Sequence, residues 1–203
     1  MGLLAATQSL TRYRVEGRLS PPLGDAVLNG LRAHQISPIN DQTRVENAGW
    51  TPVEAPYSPD FDHYPHVFGT AFVFSLRIDR KTLPRKLIEK ELALETAKKL
   101  KDTGQPRLRP NEIKMLKDHV VNTLYLRIPA IPSVFDVIWQ YEAADLWFLS
   151  TLKKANETLL SLFLKTFKLT LIPRLPYTEA YFCSELNAEL KDRILNLSPP
   201  NRT

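Results

Sequence analysis

The chain has 203 residues, 43% hydrophobic and 24% charged, a globular balance sufficient to bury a core without staples. A single cysteine, Cys183, excludes an intrachain disulfide and a cysteine-rich zinc site and fits a reduced, intracellular compartment. No run of 18 apolar residues is available to span a membrane, and the net charge of +5 admits nucleic acid or an acidic surface as partner.

The opening MGLLAATQSL lacks the basic flank and apolar run of a signal peptide, and Ala6 breaks the myristoylation pattern. LTRYRVEG alternates, with Tyr13 and Val15 on one face, and predicts a half-buried strand. SPPLGDAVLNGLRAHQ predicts a helix with Ser20 as N-cap, prolines in the first turn, and Leu23, Val27, Leu28 and Leu31 at helical spacing. From Ile36 to Pro65 five prolines punctuate a long loop, with a short strand around Gly49–Val53. HVFGTAFVFSLRID reads as one central strand, rich in β-branched and aromatic residues.

Leu83 and Pro84 then open a helix whose Leu83, Leu87, Leu94, Ala97 and Leu100 share a face, with Ile88 and Leu92 nearly opposite. After the Gly/Pro turn DTGQPRLRPN, a second helix starts near Asn111 with the stripe Ile113, Leu116, Val120 and Leu124. Together they make a helical hairpin. IPSVFDVIWQYEAADLWFLST predicts two strands around the turn EAAD. Next come a helix with Leu152, Leu159, Leu160, Phe163 and Leu164 apolar, the strand LTLIPRL, and a short terminal helix in SELNAELKDRILNL. This order predicts an α+β fold: a mostly antiparallel sheet with helices packed on it, plus an inserted basic helical hairpin.

Charge is concentrated in that hairpin. Between Arg80 and Asp118 there are 12 basic and 6 acidic residues, an excess of 6 in a chain whose total excess is 5. The candidate phosphate-binding residues are Arg85, Lys86, Lys90, Lys98, Lys99, Lys101, Arg107, Arg109, Lys114 and Lys117. Several cations on an extended surface bind DNA by releasing counterions from phosphates. The competing interpretation is a solvated helix laced by pairs such as Glu95–Lys99, or a module that docks an acidic protein. No zinc finger, helix-turn-helix or aromatic RNA-binding signature is present.

Other constellations carry less. Asp60, Asp79 and Lys81 spell the loose two-carboxylate-plus-lysine pattern of metal-dependent nucleases, but a strand ending before a basic helix accounts for Asp79 and Lys81 without catalysis. His63 and His66 beside Asp60 and Asp62 lie in a Pro-rich loop, which is a surface loop before it is a metal site. Cys183 has no local base and reads as a plain thiol. Trp50, Trp139 and Trp147 read as core or interface anchors, and no phosphate-binding glycine loop occurs. No cofactor and no catalytic residue are expected.

The order of elements resembles the N-terminal part of the bacterial recombination-associated RdgC family over residues 10–176. The similarity is carried by Tyr13–Arg14, by Gly49–Trp50 followed by Pro52, by RKTLPRKLIEKEL, and by VFDVIWQYEAADLWFLST leading into LKKANETLLSLFLKTF and LIPRLP. It implies a centre domain of residues 1–79 and 129–175, a tip of residues 80–128 and a short terminal helix and tail in 176–203. It further implies a cytoplasmic, nucleoid-associated homo-oligomer that binds duplex DNA without sequence preference and limits access of the RecA recombinase. The family has also carried an exonuclease label. Its members continue into a base domain that closes a ring, so an open dimer is the expectation for these residues.

Overall fold

Two ten-residue strands form the spine of the molecule. In the computed structural model, which describes residue 7 and residues 9–40, 42–182 and 186–195, β4 (Ala71–Arg80) and β5 (Ile131–Gln140) pair antiparallel along their full length, from Ala71↔Gln140 to Arg80↔Ile131. Around them run β1 (Thr11–Glu16), β2 (Glu46–Thr51), β3 (Val67–Phe68), β6 (Asp145–Phe148) and β7 (Thr170–Pro173). The sheet order is β2-β4-β5-β6-β1-β7, all antiparallel, with β3 on the β4 edge that β2 also uses. The helices are α1 (Leu23–Ala33), α2 (Arg85–Thr103), α3 (Pro110–Arg127), α4 (Lys153–Phe167), α5 (Pro176–Phe182) and α6 (Ala188–Leu195). This is the expected α+β architecture.

Period-two alternation decides which face is apolar. Phe72, Phe74, Leu76 and Ile78 of β4 share one face and meet Val27 and Leu31 of α1 and Leu159, Phe163 and Phe167 of α4. Trp50 packs edge-on to Phe74 at 5.1 Å and donates its Nε1–H to Thr166 Oγ1 at 2.8 Å. Trp139 lies 5.1 Å from Phe163 and 5.2 Å from Phe167. Each such ring contributes about 4–6 kcal/mol of gross burial energy before entropy is counted. The opposite face of β4 is polar from Ser75 onward. Ser75 donates to Asp136 at 2.7 Å, and Arg77 grips Asp79 with two bonds of 2.6 and 2.9 Å while lying over the Tyr57 ring.

The long loop is closed on β2 where the chain at Gln35 bridges Trp50. There Gly49 is obligatory: a Cβ would sit 2.5 Å from the Ile36 backbone. Several local expectations need correction. Ser20 makes no cap, because Pro22 and Pro84 occupy the N-cap positions and the prolines precede α1 and α2. The single central strand expected from His66 onward turns at Gly69, whose φ is +61°, into β3 and β4. The strand expected at 49–53 runs from 46 to 51, and α5 was not expected at all. In α2 the half-buried residues are Leu87, Ile88, Glu91, Leu92, Glu95, Thr96, Lys99 and Leu100, while Leu94 and Ala97 face solvent. Leu152 and Leu164 are likewise exposed, and Phe167 fills the core instead. Cys183 lies outside the described residues.

The hairpin α2–α3 is inserted between neighbouring strands β4 and β5, and its two helices pack mainly on each other. One side chain fixes its root. Lys81 is 2% exposed, and its Nζ donates to the carbonyls of Asn40 at 2.5 Å, Gln42 at 2.8 Å and Tyr125 at 2.6 Å. Tyr125 lies in the last turn of α3, where carbonyls lack intrahelical partners and the helix dipole favours a cation. Asn40 Oδ1 also accepts the Ala130 N–H, so the chain is held both entering and leaving the hairpin. Lys81→Met keeps the stem but strands three carbonyls. It should lower stability by about 2–4 kcal/mol in urea unfolding.

A second node ties the far side of the sheet. Asp145 of β6 is buried and accepts bonds from Arg12 of β1, Trp147 and Arg174. Burial alone pushes its carboxyl upward, but the hydrogen bonds from Arg12, Trp147 and Arg174 outweigh it and hold the pKa below the usual 3.8. A depressed folded-state value stabilises the fold above pH 3.8, and that stability is lost as pH falls below it. In melting curves taken downward from that pH, the wild type should lose stability more steeply than Asp145→Asn.

Candidate nucleic-acid interface

The hairpin is built to project charge. α2 has 19 residues and α3 has 18, so each is about 27–28 Å long. Gly104, with φ +63°, ends α2 in the left-handed conformation. Leu108 is buried and anchors the turn, and Pro110 opens α3 while the Arg109 N–H bonds the Glu112 carboxylate at 2.8 Å. Val120 and Leu124 of α3 are buried, whereas α2 buries no residue fully. The rest of the α2 surface is left to charge. Leu94 and Met115 also stay 56% and 72% exposed.

At 100° per residue Lys86, Lys90, Lys98 and Lys101 fall within an arc of about 120°, on the side of α2 away from Ile88, Leu92 and Thr96. All four are exposed, as are Arg85, Arg107, Arg109, Lys114 and Lys117; Lys99 alone among the ten candidates is half-buried. Among the described residues these ten form one ion pair, Arg85–Glu89 at 2.8 Å. The Glu95–Lys99 pair of a laced, solvated helix is not formed.

Folding sharpens the charge pattern. The end of the hairpin farthest from the sheet comprises the second half of α2, the turn and the first half of α3. Residues 98–117 there hold seven cations, Lys98, Lys99, Lys101, Arg107, Arg109, Lys114 and Lys117, against Asp102 and Glu112. That net of +5 equals the charge of the whole chain. At the root, by contrast, cations are consumed: Arg80 pairs with Glu46 at 2.8 Å, and Lys81 is spent on its three carbonyls.

The three residues of the nuclease-like pattern are occupied separately. Both Asp79 oxygens are bound by Arg77, and the Lys81 ammonium gives its three protons to backbone carbonyls. Asp60 accepts from the Asp62 N–H at 2.9 Å and bonds His63 Nδ1 at 2.6 Å; these two contacts lower its pKa. In the neighbouring loop Asp62 pairs with Arg32, and His66 stacks on Phe72. Burial lowers the His66 pKa. Among the described residues no group of three or more His, Cys, Asp or Glu side chains is placed to hold a metal ion. No sequence signal marks Lys81 as structural, because its three acceptors come from residues 40, 42 and 125.

No helix among the described residues is long and apolar enough to cross a membrane. No curated protein matches the chain. A family model described as "Putative exonuclease, RdgC" matches residues 8–192, which takes in the sheet, the hairpin, α5 and part of α6. The chain therefore belongs to the RdgC family and shares its recombination-associated role.

Proposed function

We propose that the protein binds DNA without sequence preference and acts in recombination by limiting RecA access to the strand it covers. The observation that carries this reading is the unpaired charge of residues 98–117, projected about 27 Å from a compact sheet. A local excess of this size attracts a polyanion more strongly than the chain total implies, because screening limits each phosphate to charges within about 10 Å. No base-reading motif such as a zinc finger or helix-turn-helix accompanies these cations, which suits phosphate contact. RecA enters through competition for DNA, not through a shared surface. An exonuclease activity would need a metal-binding carboxylate set. The occupation of Asp79 by Arg77 and of Lys81 by three carbonyls favours the non-catalytic reading.

Duplex binding should weaken with salt. Five phosphate contacts give a slope of log K against log salt of roughly −4 to −5. Lys98→Glu with Lys101→Glu should make the slope shallower and weaken all sequences about equally. Lys153→Glu, which removes a cation already beside Glu157, should change little. Fluorescence anisotropy on labelled duplexes measures all three; a wild-type slope near zero, or equal losses at both places, contradicts the proposal.

A further inference from the structure

We propose that the groove between α4 and the loop preceding β2 is a second phosphodiester site, so that a nucleic-acid strand held on the hairpin continues along the sheet unit. This rests on the DNA-binding reading above and adds a surface to it. The groove has a volume of about 370 Å³, and its lining includes His34, Ser37, Arg44, Ser161 and Lys165. No aspartate or glutamate is among its described lining residues.

Elsewhere on the sheet unit, cations are mostly matched. Arg12, Arg32, Arg77, Arg80, Lys153, Lys154 and Arg174 each have a carboxylate partner. Arg44 and Lys165 are exposed and form no ion pair among the described residues, yet they line the same groove. The hydroxyls add donors of fixed position. Ser37 Oγ accepts from Asn47 Nδ2 at 3.1 Å, which leaves its own hydrogen to give to an anion. Ser161 and Lys165 stand four residues apart on one face of α4. Two cations and two hydroxyl donors, with no acid among the described lining residues, make a surface that attracts phosphate.

The same features point to a strand and not to a free nucleotide. The groove is open along α4, and no Phe, Tyr or Trp is among its described lining residues to stack a base. It also begins at the hairpin root. Val45, next to Arg44, accepts the Lys81 N–H at 2.8 Å, and Glu46 holds both Arg80 and Lys154.

The test uses the full chain and a labelled duplex. Arg44→Glu with Lys165→Glu should weaken binding roughly tenfold at about 0.1 M salt and make the salt slope shallower by about 2. Melting temperature should hold, because both side chains are exposed and unpaired. Arg44→Gln with Lys165→Gln, a milder pair, should show a smaller loss in the same direction. Unchanged affinity in both variants, while the hairpin variant loses binding, overturns this inference alone. Loss in the groove variants with none in the hairpin variant overturns the hairpin reading instead. Competition by excess adenosine monophosphate that is abolished in the groove variants would mean a mononucleotide site and also overturns the inference.

Discussion

The buried Lys81 ammonium is the contact on which the arrangement of this molecule depends. A two-helix hairpin has too little interior to fix its own direction; here α2 buries no residue fully. Its orientation must come from its root, and there a single cation binds carbonyls from the α1–β2 loop and from the last turn of α3. A lysine in an apolar interior would ordinarily be costly. Three short bonds and a helix C-terminus offset that cost, and the geometry they impose is specific because the carbonyls come from two distant parts of the chain. The apolar core under the sheet supplies stability, while Lys81 sets where the hairpin points.

That division of labour separates two uses of positive charge. Near the sheet, most arginines and lysines are structural: Arg77 with Asp79, Arg80 and Lys154 with Glu46, Arg12 and Arg174 with Asp145. At the far end of the hairpin they are free. Charges already paired contribute little field at a distance, whereas unpaired ones on a projecting element present most of theirs to solvent and to whatever polyanion approaches. A protein that grips phosphates indifferently needs this kind of surface and little else, which agrees with a fold that devotes its buried polar groups to holding itself together.

Much of the fold could be read from residue patterns alone. Alternation in β1, the β-branched and aromatic run of β4, helical spacing in α1, and the turn before α3 each carry a local physical signal, and the structure follows them. What failed has a local cause. Gly69 splits one apparent strand into a hairpin, because a left-handed residue inside an apolar run leaves no mark in hydrophobicity. In α2 the apolar residues are spread around the helix, so spacing alone could not choose between the Leu94 side and the Ile88–Leu92 side. Packing of α2 against α3 buried more of the latter. The candidate cations were visible as a charge excess, but which were free was not: Arg80 and Lys81 differ from Lys86 only through partners at residues 46, 40, 42 and 125. The same holds for Arg44 and Lys165, brought to one groove from opposite ends of the chain.

Residue-by-residue acylation of lysines, read by mass spectrometry with and without saturating duplex DNA, distinguishes a hairpin that grips phosphates from a merely solvated one. If the hairpin grips phosphates, Lys86, Lys90, Lys98, Lys101, Lys114 and Lys117 react in the free protein and are shielded by DNA. Lys153 should react equally in both samples, and Lys81 should be inert in both. Hairpin lysines that react alike with and without DNA, or a Lys81 as reactive as its neighbours, would contradict the account.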